Sequence, residues 1–78
     1  MITEVKTKRG LERAVLHAKT YYDDLPRKKQ PLFRADLMRV AGYKTTTAFY
    51  DAINGRMLVK LEVAKAAEDF FRRHGIIE

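Results

Sequence analysis

A chain of 78 residues, 46% apolar and 33% charged, has room for one small domain. It is too apolar to be disordered by composition, and no apolar run approaches the roughly 18 residues that a membrane-spanning helix needs. Sixteen Lys and Arg against ten Asp and Glu leave a net charge of +6, which favours a polyanionic partner such as nucleic acid without specifying one.

The absence of cysteine excludes disulfides and thiolate metal sites. The opening MITEVKTKRG lacks the apolar segment of a secretory signal, so a cytoplasmic location is expected. Residues 1–9, with Lys6, Lys8 and Arg9, read as a flexible basic arm able to reach a neighbouring DNA groove. From about Lys8 to Tyr22, the apolar residues Leu11, Ala14, Val15, Ala18 and Tyr22 recur at helical spacing. A first amphipathic helix is predicted there, with Arg9, Glu12, Arg13 and Lys19 toward solvent. Asp23, Asp24 and LPRKKQP end it, because the residue before Pro26 is pushed out of helical geometry. Pro31 suits the first turn of a second helix, which buries Leu37, Val40 and Ala41 and carries Asp36 near its N-terminal dipole end.

That helix closes at Gly42, where a left-handed residue is expected, and Tyr43 tucks inward. Thr45 is the expected N-cap of a third helix that buries Ala48, Phe49, Ala52 and Ile53 and stops after Asn54 at Gly55. The stretch RMLVKLEV alternates well enough for a short strand. The following AKAAEDFFRRHG, however, holds helix formers and ends in Arg72, Arg73 and His74. A fourth helix is therefore predicted from about Lys60 to His74. Leu61, Ala64, Ala67 and Phe71 would face inward, and residues 76–78 form an apolar tail.

The expected fold is all-α: one four-helix domain over residues 1–78 whose segment RADLMRVAGYKTTTAFYDAIN forms a helix-turn-helix. From Phe33 to Phe71 the pattern resembles the Cro/repressor-like helix-turn-helix proteins. The resemblance rests on the glycine turn at Gly42, the short helix ending in INGR and the LEVAKAAEDF helix. It implies sequence-specific binding of operator DNA through the helix at about 45–54, in a repressor-type regulator of transcription. Aligning Gly42 with that family's turn glycine would send Asp51 inward. A turn one residue longer is therefore expected, with Phe49 and Ala52 in the buried places.

With the longer turn, the exposed face of the third helix carries Thr46, Thr47, Tyr50, Asp51 and Asn54 as candidate base contacts. Threonine can bond a base edge or meet the thymine methyl, asparagine can pair with adenine, and aspartate can accept from the cytosine amino group. No Arg lies within this helix, so either specificity relies on Thr, Tyr and Asn or much of it comes from flanking residues and DNA shape. Arg34, Arg39, Lys44 and Arg56 are candidate phosphate contacts. Arg27, Lys28 and Lys29 would either touch phosphates or keep their loop solvated.

Phe70 and Phe71 diverge by about 100° on a helix, so one small monomer is not expected to bury both together with Ile76 and Ile77. A homodimer through these four residues is expected, matching a palindromic DNA site. His17 and His74 lie in different predicted helices, and no nucleophile motif or phosphate-cradling glycine loop is present. Neither enzymatic activity nor a cofactor or metal is expected. The alternative reading is a small phage or mobile-element protein that binds a host protein or ribonucleoprotein, such as an anti-CRISPR inhibitor, through an apolar hot spot at Tyr21, Tyr22 or Phe70.

Overall fold

The N-terminal residues pair into a hairpin. In the computed structural model, which describes residues 3–8 and 10–77 without the side chains of Lys8 and Leu11, strand β1 (Thr3–Lys8) runs antiparallel to β2 (Leu11–Leu16). Thr3 lies opposite Leu16, Val5 opposite Ala14 and Lys8 opposite Leu11. The fold is therefore mixed α/β, which overturns both the expected all-α class and the first helix over residues 8–22. Along β1, β-branched Thr3, Val5 and Thr7 alternate with Glu4, Lys6 and Lys8, a period of two that suits a pleated strand. Only Val5 there is large and apolar, so no apolar alternation marks the strand. The apparent helical stripe came from three places: Ala14 lies in β2, Ala18 precedes a short helix and Tyr22 lies within it. Nor are Lys6 and Lys8 a free arm, since both are strand residues; Arg9 and the Leu11 side chain lie outside the described residues.

Helix α1 (Lys19–Asp24) is tied to the rest at both ends. The Ala18 N–H donates to the Ile53 carbonyl at 2.9 Å. The Gln30 side-chain amide donates to the carbonyls of Tyr22 and Leu25 at 3.3 and 3.2 Å, so the first residue of the next helix caps the end of α1, where the Tyr22 carbonyl also accepts from the Leu25 N–H at 3.1 Å. Helices α2 (Gln30–Ala41), α3 (Thr46–Ile53) and α4 (Leu61–Arg73) lie close to their expected bounds. The alternation in RMLVKLEV is realised at a single residue. Val59 exchanges two 2.8 Å backbone hydrogen bonds with Ala14, placing the chain beside β2 before α4 begins.

Phe33 of α2 is the centre of the core. Its ring lies 4.6 Å from Phe71 and 5.1 Å from Phe70 of α4, 5.8 Å from Phe49 of α3 and 5.8 Å from Tyr22 of α1. Helix α4 packs against both α2 and β2, and a helix covered on two sides buries a wide arc: Val63, Ala64, Ala67, Phe70 and Phe71. Leu61, expected inward, is 37% exposed, because two residues place it about 200° from Val63 on the helix. Val40 and Ala41 are half-buried at the rim of the core. Among the described residues no helix is long and apolar enough to cross a membrane.

Candidate nucleic-acid interface

Local backbone chemistry builds the helix-turn-helix. Gly42 takes φ 76°, its N–H and that of Tyr43 both reach the Met38 carbonyl at 2.8 and 3.0 Å, and the last turn of α2 is closed. Three residues on, the Thr45 hydroxyl accepts from the Ala48 N–H at 3.3 Å and caps α3. Phe49, Ala52 and Ile53 are fully buried and form the inward face of α3. Thr46 and Thr47 are exposed at the start of the helix.

The remaining candidate base contacts are partly committed to the protein itself. Tyr50 is half-buried, with its ring edge-on to Tyr22 at 6.2 Å and to Phe49 at 5.1 Å. The Tyr22 hydroxyl, bonded to that of Tyr50, holds the Tyr50 phenol below the ordinary tyrosine range against the effect of desolvation, and nearby Arg34 works in the same direction. Burial, followed by the same hydrogen bond, pushes the Tyr22 phenol up. Arg34 favours the charged form of both phenols. The Asn54 amide donates one N–H to the Tyr50 carbonyl at 2.8 Å, capping the end of α3, which leaves its other N–H and its Oδ1 for a base edge. Asp51 and Arg56 form an ion pair at 3.4 Å.

The candidate phosphate contacts divide in the same way. Arg39 is paired with Asp36 and Arg56 with Asp51, which offsets part of their charge. Arg34 lies beside the Tyr22–Tyr50 hydroxyls, and Lys44 is exposed in the turn before Thr45. Arg27, Lys28 and Lys29 form an ordered turn in which the N–H groups of Lys29 and Gln30 donate to the Pro26 carbonyl at 2.8 and 3.2 Å. That turn leads into α2, with Arg27 and Lys28 exposed and Lys29 half-buried.

The four residues expected to build a dimer interface lie on the monomer's own core. Phe71 is fully buried and Phe70 is 6% exposed, because the hundred-degree divergence that was expected to strand one of them fits a helix packed on two sides. Ile76 and Ile77 are half-buried against the same core. The apolar hot spot of the alternative reading is consumed likewise: Tyr22 and Phe70 are buried, and the half-buried Tyr21 ring packs 5.8 Å from Phe71.

Sequence reasoning missed a group of cations near the turn. Arg13, placed by the helical reading on a solvent face, lines a cleft of about 220 Å³ together with Tyr43, Met57 and Lys60. The alternation in RMLVKLEV, which sets Val59 against Ala14 and so brings Lys60 to Arg13, was a signal that could have located it. Compared with family models, curated proteins and solved structures, the chain matches none.

Proposed function

We propose that the chain is a sequence-reading DNA-binding regulator of repressor type, acting in the cytoplasm, which lays α3 in the major groove of operator DNA and blocks transcription by occupying it. The observation that carries this reading is the presentation of Thr46 and Thr47. Both are exposed at the N-terminal end of a helix whose opposite face is locked into the core by Phe49, Ala52 and Ile53, and whose start is held by Gly42 and Thr45. The first residues of the second helix in such a unit are those that reach base edges. The resemblance of residues 33–71 to the Cro/repressor-like proteins and the net charge of +6 support the same reading.

With Asp51 paired to Arg56 and Tyr50 half-buried against Tyr22 and Phe49, Thr46 and Thr47 carry the base contacts, joined at the far end of α3 by the Asn54 amide. The test is fluorescence anisotropy against genomic fragments and a random duplex at near-physiological salt, with a Thr46→Ala/Thr47→Ala variant alongside. Tight binding to a subset of fragments that the variant loses is expected. Equal binding to every duplex, unchanged in the variant, defeats the reading.

A further inference from the structure

The hairpin register sets Lys6 directly opposite Arg13, and residues opposite one another in an antiparallel pair share a face. Two like charges in that relation oppose strand pairing. Glu4 offsets Lys6 at 3.7 Å, whereas the Arg13 guanidinium donates only to the neighbouring Glu12 carbonyl at 3.2 Å and meets no carboxylate among the described residues. The row continues across the next strand position. Because Val59 is bridged to Ala14, Lys60 falls beside Arg13, and both line a cleft together with Tyr43. Lys60 is exposed and likewise has no carboxylate partner among the described residues. Lys44, also exposed, follows Tyr43 immediately and precedes the cap of α3.

Neighbouring strands lie about 4.8 Å apart, so the row from Lys6 to Lys60 spans roughly 10 Å. A single small anion cannot bridge that length. A nucleic-acid strand, which carries one charge per about 3.4 Å of helix axis, presents several charges along it. We propose that Lys6, Arg13 and Lys60 form a seat for the phosphodiester backbone of the duplex that α3 enters. The proposal rests on the DNA-binding reading above and extends it to a second, sequence-independent contact on the hairpin.

The test uses the full chain with Lys6→Gln, Arg13→Gln and Lys60→Gln combined, beside wild type and Thr46→Ala/Thr47→Ala. Anisotropy is read on a preferred and a random duplex of about 20 base pairs, two helical turns, across a salt series. The slope of log affinity against log salt is expected to become shallower by about 0.9 per removed contact, so by nearly three in all. Affinity should fall by the same factor on both duplexes. The thermal midpoint should hold or rise, since the Lys6–Arg13 repulsion is gone, and this separates lost contacts from lost folding.

An unchanged slope and affinity in the triple variant, with the threonine variant losing its discrimination, overturns the seat and leaves the regulator standing. Salt-dependent binding that the triple variant loses, with no discrimination in wild type to begin with, supports the seat and defeats the sequence-reading function. Failure of wild type to bind any duplex, or displacement of DNA by polyglutamate as readily as by competing duplex, overturns the seat in favour of an acidic protein surface. Displacement by millimolar inorganic phosphate overturns it in favour of a single-anion site.

Discussion

Gly42 and Gly55 share the same backbone angle, φ 76°, but not the same surroundings. A Cβ at Gly42 would meet nothing within 4 Å, so Gly42→Ala costs only the left-handed strain of an L residue, about 1 kcal/mol. A Cβ at Gly55 would lie 3.1 Å from Val15 Cγ1 and 3.2 Å from the Leu16 carbonyl oxygen, where β2 and the end of α3 press together. Gly55→Ala is expected to cost at least about 2 kcal/mol in urea unfolding, because strain and overpacking add. Tyr43 supplies a pH test. Burial raises its phenol above the ordinary value of 10.0, so the folded state holds that proton more tightly than the unfolded chain does. Stability from this group is intact below pH 10 and is lost as pH rises through the folded value. Tyr43→Phe should therefore flatten the alkaline decline in the urea midpoint; an identical decline in both proteins would remove Tyr43 as its source. Thr45 was legible as a cap because capping is decided within three residues. The bond from Asn54 to the Tyr50 carbonyl was not legible in the same way, because it exists only once α3 has formed and ended.

Each helix meets its neighbours through aromatic rings, and Phe33 joins α2 to the other three. Phe33→Ala should cost about 3–5 kcal/mol. Against the roughly 4–12 kcal/mol expected for a domain of this size, that removes at least about a quarter of the stability, read as a lowered urea midpoint by circular dichroism. Helix α4 starts with a different compromise. Lys60 is its N-cap, makes no side-chain capping bond and places a cation at the positive end of the helix dipole. Lys60→Ser is expected to stabilise the protein by about 0.5–1 kcal/mol while weakening DNA binding. A variant that gains stability and loses no affinity would leave the cation without the role proposed for it. The bounds of α2 and α3 were readable because Pro31, Gly42, Thr45 and Gly55 act locally. The wide buried arc of α4 was not, since its width depends on having both β2 and α2 as neighbours.

At the scale of the whole molecule the hairpin is part of the core. Leu16 and Ala14 are fully buried, and Val59 is held to Ala14 by paired hydrogen bonds. A chain beginning at His17 should therefore fail to fold, showing no cooperative thermal transition by circular dichroism, whereas a dispensable basic arm would leave the transition intact. The radius of gyration of 11.8 Å agrees with the value of about 11.5 Å expected for a folded chain of this length, so the hairpin adds little expansion. The sequence alone determined the net charge, the helix-turn-helix with its stops and caps, and the later helix, because these depend on composition and on contacts a few residues apart. Only the tertiary structure decided that residues 3–16 are strands, that Phe70 and Phe71 are both interior, and that Lys6, Arg13 and Lys60 form one row. The physical reason is that a strand satisfies its backbone only through a partner, and Ala14 commits both its N–H and its carbonyl to Val59, which is distant in sequence.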